Sequence, residues 1–142
     1  MVSVRKKRRI LCTVLVLLLA VAALAGCNLL SEEKIKLRDL EMTVLSEDKI
    51  PEELKTIIDE KKSQPFQLTY KDNGNLYICI GYGEQSTGGY SVVVNELYLT
   101  DSSIYVNTSL LGPDTANRDN PVASYPFIVI KTELLEQPVI FE

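Results

Sequence analysis

The chain has 142 residues, 46% of them apolar and 24% charged, with 15 basic against 19 acidic side chains and neither histidine nor tryptophan. Without histidine there is no Ser-His-Asp or Cys-His activation and no zinc site that combines histidine with other ligands, and three cysteines are too few for a four-cysteine site. The acidic balance argues against partners that need a basic surface, nucleic acid above all.

The first 26 residues read as an address. Arg5, Lys6, Lys7, Arg8 and Arg9 form a basic start, and Ile10 to Ala25 is nearly unbroken apolar sequence ending in small residues. As a helix that stretch reaches roughly 24 Å, short of the roughly 30 Å hydrocarbon core of a bilayer, so a cleaved leader is expected. Leu24-Ala25-Gly26-Cys27 resembles the lipobox of bacterial lipoproteins, in which cleavage falls before the cysteine and the thiol carries a diacylglyceryl group. The resemblance implies lipidation at Cys27. Two acyl chains hold a protein stably where one binds only marginally, so the expected location is the outer face of the cell membrane, anchored by lipid.

All 19 acidic residues follow position 27 but only 10 of the 15 basic ones do, so the expected mature chain carries a net charge of −9. Cys12 leaves with the leader and Cys27 is acylated. Cys79, between Ile78 and Ile80, is then the last thiol and reads as a buried strand cysteine that forms no intrachain disulfide.

Residues 27–39 are expected to be the lipidated cysteine and a polar tether, and 40–142 a single α+β domain. Leu40 to Leu45 suggests a short strand. Pro51 to Lys62 reads as a helix: a proline at its start, Glu52 and Glu53 at the positive end, Lys61 and Lys62 at the negative end, and Leu54, Ile57 and Ile58 on one stripe. Gln67 to Tyr70 and Leu76 to Tyr82 flank Asp72-Asn73-Gly74, a hairpin signal, because Asn and Gly tolerate the positive φ of tight turns. Tyr90 to Leu99, Ile104 to Leu110, Tyr125 to Thr132 and Val139 to Phe141 supply further β-rich runs. The expected architecture is α+β, a mostly antiparallel sheet of about five or six strands with one packed helix.

Residues 81–90, GYGEQSTGGY, concentrate four glycines and two tyrosines ahead of a strand. A dinucleotide fingerprint needs a third glycine at position 86 and a helix after it, whereas Ser86 stands there and SVVVNELYL is strand-like. Asp114 to Asn120 is rich in oxygen, yet Ala116 and Arg118 occupy places where a calcium loop needs ligands. Glu84 and Glu96 are the carboxylates a glycosidase-style pair would draw on. No catalytic, cofactor-binding or metal-ligating residue is assigned. Two readings of the glycines stand side by side: they shape the sheet, with Tyr90 in the core, or they present an edge to another chain.

Gly83-x-x-x-Thr87-Gly88-Gly89-Tyr90, followed by a β-branched strand and then by Ser124-Tyr125-Pro126-Phe127-Ile128-Val129-Ile130-Lys131, resembles the C-terminal domain of the protease-complex subunit PrcB family, over roughly residues 74 to 131. The resemblance implies a small bacterial surface lipoprotein associated with a secreted or surface protease, with no catalytic residues to carry over. The expected function is a non-enzymatic extracytoplasmic accessory or protein-interaction subunit. Its candidate interaction residues are Tyr82, Gly83, Thr87, Gly88, Gly89, Tyr90, Tyr125 and Pro126. The alternative is a module whose tyrosines bind an envelope glycan or small ligand.

Overall fold

The computed structural model describes residues 2–24, 33–114 and 122–142. They fall into two units, Met1–Glu33 and Lys34–Glu142. The first holds helix α1, Val2–Leu24. Among the described residues no helix is long and apolar enough to cross a membrane. Cys27 and most of the Asp114–Asn120 loop lie outside the described residues.

The second unit runs β1 (Lys36–Asp39), β2 (Met42–Val44), a 3-10 turn (Glu47–Lys49), α2 (Glu52–Lys61), β3 (Pro65–Asp72), β4 (Asn75–Tyr82), β5 (Ser91–Thr100), β6 (Ile104–Leu111), β7 (Phe127–Glu133) and β8 (Val139–Phe141). The expectation of about five or six strands with one helix is corrected. Among the described residues eight strands form two four-stranded sheets, β1-β5-β6-β8 and β2-β7-β4-β3, and α1 joins α2 as a second helix. All strand pairs are antiparallel except β6 with β8. The strand expected over Leu40 to Leu45 is present as β2, whereas β1 escaped the sequence pattern because it is short and exposed along its whole length. Between them Leu40 turns into the core, 6% exposed, and its N–H bonds to the Leu97 carbonyl at 3.0 Å. The folded body begins at Lys34, inside the stretch expected to be tether.

The layers follow from which faces are dry. Six consecutive residues of β4, Leu76 to Gly81, are buried, the mark of a strand covered on both sides. On one face Leu76, Ile78 and Ile80 meet Ile128 and Ile130 of β7 and, from the other sheet, Leu97, Leu99, Ile104 and Val106. On the opposite face Tyr77, Cys79 and Val129 meet Ile50, Leu54 and Ile58. The order of layers is therefore helix, sheet, sheet. Of the stripe read from the sequence in α2, Leu54 and Ile58 are buried and Ile57 is half-buried. Pro51 stands just before the first helical residue and its carbonyl accepts the Lys55 N–H at 2.9 Å.

Two local devices set register. Asn73 (φ 47°) and Gly74 (φ 74°) form the two-residue turn between β3 and β4, as the hairpin signal predicts. In β5 the pairing shifts between Val94 and Glu96, so Asn95 is an extra residue. The bulge lets Val92 and Val94 join Leu97 and Leu99 on the core side although the two pairs differ in parity.

Because Ile78 is fully buried at the contact of the two sheets, Ile78→Ala is expected to cost ~2–5 kcal/mol in chemical denaturation, whereas Thr69→Ala on the exposed face of β3 changes stability by less than ~1 kcal/mol.

Candidate functional site

The glycine-rich segment leaves β4 and reaches β5 by bridging the two sheets. Beyond Tyr82 the strand pairing with the β7 side continues in two steps: the Tyr82 N–H donates to the Pro126 carbonyl at 3.0 Å, and Gln85 and Ser124 exchange both backbone hydrogen bonds, at 2.8 and 3.0 Å. The Ser124 hydroxyl then donates to the Thr87 carbonyl at 2.6 Å. Tyr82, Gly83, Thr87, Tyr125 and Pro126 are thus brought together. Gln85 and Ser124, which hold this arrangement, were not among the expected residues. Ser124 stood in the quoted Ser-Tyr-Pro-Phe run, while nothing in the local sequence marks Gln85.

Each side chain has its own surroundings. The Tyr82 hydroxyl is 2.8 Å from Thr108 Oγ1, linking the two sheets, and its ring packs on the core between them. Tyr125 is exposed, with its hydroxyl 3.5 Å from Glu84 Oε2. Tyr90 is half-buried, and a Cβ on Gly112 would stand 3.6 Å from its ring. Gly88 and Gly89 are exposed. The surface strip of the bridge therefore consists of Glu84, Ser86, Gly88, Gly89 and Tyr125, and Val122 and Ala123, which precede Ser124 in the chain, are exposed as well.

The four glycines divide by physical role. Gly83 has φ 73°, and a Cβ there would sit 2.8 Å from Pro65 Cδ and 2.9 Å from the Pro65 nitrogen. Gly89 has φ 84°, and its Cβ would sit 2.8 Å from Pro113 Cβ. At both positions conformation and space demand glycine. Gly81 lies under the Phe66 ring, close enough that a Cβ there would force the ring to move. At Gly88 a Cβ would meet nothing within 4 Å and φ is not positive. Three of the four thus shape the sheet, and Gly88 alone is free of a packing reason.

The tyrosines do not converge on one groove. Tyr77 is buried under α2, 5.9 Å from Tyr70, whose hydroxyl donates to Glu53 at 2.9 Å. Tyr98 and Tyr105 stack at 5.3 Å on the outer face of the other sheet, with the ammonium groups of Lys36 and Lys34 over their rings at 5.4 and 4.5 Å. At the opposite end of the body from the glycine-rich segment, a cleft of about 660 Å³ includes Arg38 and Lys131. Arg38 pairs with Glu133 at 2.7 Å, tying β1 to β7, and holds that carboxyl below its usual range through hydrogen bonding.

Glu84 lies on the loop after β4, and Glu96 opposite Asn107 on β5. Among the described residues no group of three or more Cys, Asp or Glu is placed to hold a metal ion. Cys79 is fully buried against α2, and burial pushes its thiol up to about 12.

A helix-sheet-sheet body with a glycine-closed bridge between its sheets defines a compact β-rich module. Residues 76–133 match the family model described as PrcB C-terminal, which makes this part of the chain, less than half of its length, a PrcB-like C-terminal domain. The match starts and ends two residues later than the resemblance read from the sequence and covers β4 to β7 with the whole glycine-rich bridge. Comparison with curated proteins and with solved structures found no match.

Gly83→Ala is expected to lose ~2 kcal/mol or more, because a left-handed conformation costs an L-residue about 1–2 kcal/mol before any clash with Pro65. Gly88→Ala should stay within ~0.5 kcal/mol of the parent in the same urea titration.

Burial disfavours the Cys79 thiolate. At pH 8 a thiol near 12 holds about a thousandfold less thiolate than one near 9. Peptide mapping after maleimide treatment should therefore find Cys79 unlabelled in the folded chain and labelled after denaturation.

Proposed function

We propose that this protein is a lipid-anchored accessory subunit on the outer face of the membrane, one that works by contact rather than by catalysis. The partner is another extracytoplasmic protein, and the PrcB-like domain makes a protease the favoured one. The contact surface is the strip formed by Glu84, Ser86, Gly88, Gly89 and Tyr125.

The observation that carries this reading is the Gln85–Ser124 bridge. It anchors Gln85 to Ser124, and the Ser124 hydroxyl in turn holds the Thr87 carbonyl, so that an exposed tyrosine follows one anchor and an exposed glycine with an open Cβ position follows the other. Tyrosine supplies a large contact area with few rotamers to freeze, and a bare glycine backbone lets another chain approach closely. Support for the location comes from the basic and apolar leader and from Leu24-Ala25-Gly26-Cys27. A net charge of −9 after the leader suits a body held off an anionic bilayer on an acylated cysteine.

Photo-crosslinking of the full chain in its own membranes tests this. A crosslinker replacing Tyr125 is expected to capture one extracytoplasmic protein in high yield. Gly88→Arg in the same chain should reduce that yield at least about tenfold, the effect of losing a central contact. The same yield with and without Gly88→Arg, when circular dichroism shows both folded, removes the strip as the contact surface. In parallel, Cys27→Ser is expected to abolish labelling by radioactive palmitate; labelling that persists removes the proposed anchor.

A further inference from the structure

Among the described residues, sheet β2-β7-β4-β3 ends on one side in a long edge with no further strand on it, the eight residues of β3. Which backbone groups face out follows from the turn. With Asn73 and Gly74 both in the left-handed region, Asp72 and Asn75 are the hydrogen-bonded pair that closes the hairpin. Bonded and non-bonded pairs then alternate, so Tyr70, Leu68 and Phe66 bond inward to Tyr77, Cys79 and Gly81. The N–H of Tyr82 agrees with this parity, since it is spent on Pro126 on the far side of β4. Lys71, Thr69 and Gln67 therefore point their N–H and C=O groups away from the sheet.

The free donors are symmetric about Thr69, and both ends of the set are closed. Two residues before Gln67 stands Pro65, which has no N–H, and two residues after Lys71 stands Asn73, already turned to φ 47°. An antiparallel strand of the same sequence, laid with Thr69 opposite Thr69, uses all three donors of each chain. Shifting it either way brings Pro65 or Asn73 into the ladder.

We propose that two copies of this chain join through their β3 edges in that register, turning two four-stranded sheets into one of eight strands. Charge fits the two-fold arrangement: Lys71 of one copy lies opposite Gln67 of the other, so no like charges meet. On the helix-facing side Leu68 lies opposite Tyr70, covering two side chains that are half-exposed in the single copy. On one face α2 packs on Tyr77, Cys79 and Val129 and reaches the edge strand through Leu68 and Tyr70, whose hydroxyl donates to Glu53 at 2.9 Å, so its contact with β3 is made by side chains and leaves the outward backbone groups of Gln67, Thr69 and Lys71 to a partner. On the other face Gln67, Thr69 and Lys71 are exposed because the second sheet does not cover them. The association is a C2 contact of the commonest kind and is independent of the protease reading and of the Tyr125 strip.

Sedimentation equilibrium of the full chain in density-matched detergent tests the register. The parent is expected to show a reversible monomer–dimer equilibrium. Gln67→Glu places a carboxylate opposite Lys71 twice and should tighten the dimer roughly fivefold, while Gln67→Lys sets like charges opposite each other and should weaken it by a similar factor. Thr69→Pro removes the central donor from an edge position that tolerates proline and should abolish the dimer. Unchanged circular dichroism and melting for the two Gln67 variants keep the comparison valid even where Thr69→Pro fails to fold. A chain that stays monomeric at every concentration overturns the proposal. So does a dimer indifferent to both Gln67 substitutions.

Discussion

Everything in the folded body is arranged around one requirement: the pair β4 and β7 must be dry on both faces. Ile78 and Ile130 are wholly buried towards the second sheet, while Cys79 and Val129 are equally buried towards α2. A strand with apolar side chains on both faces cannot end at water on either of them without losing roughly 1.5–3 kcal/mol for each large side chain exposed. The helix and the second sheet are the two lids this demands. The short strands β1 and β2 then tie the layers at one side, where Arg38 meets Glu133 and Thr132 donates to the Glu41 carbonyl at 2.7 Å.

The glycine-rich segment is the consequence of having two lids on one pair of strands. The chain must leave β4 in one sheet and enter β5 in the other within eight residues, Gly83 to Tyr90. Gly83 and Gly89 supply the left-handed turns at the two ends of that passage, each pressed against a proline, and Gln85 and Ser124 hold its middle. The concentration of backbone freedom is therefore first a topological device. A contact role is left to what the device displays, Tyr125 and the unhindered Gly88. The segment also lacks the helix that a nucleotide-binding glycine loop leads into, since it runs directly into strand β5.

The thiol of Cys79 is held protonated by burial, and the ion pairs Lys36–Asp39, Arg38–Glu133 and Lys62–Asp59 all lie at the surface. Solvent screens pairs of this kind, so stability rests on the two apolar clusters.

The sequence alone determined much of the local structure. The helix from Glu52 to Lys61, the Asn73-Gly74 hairpin and the positions of β4 to β8 were legible, because apolar stripes, turn residues and β-branched runs act over a few residues. The likeness of the Gly83–Tyr90 and Ser124–Lys131 motifs to the PrcB C-terminal domain was legible for the same reason. Only the tertiary structure decided how many sheets those strands form. The dry faces of Ile78 and Cys79 point in opposite directions, and nothing local says that a second sheet covers one and α2 the other. It also decided what each glycine is for, since Pro65 and Pro113, the groups that forbid a Cβ at Gly83 and Gly89, lie 18 and 24 residues away along the chain. A residue's reason can be read from its neighbours in sequence only when those are the neighbours it packs against.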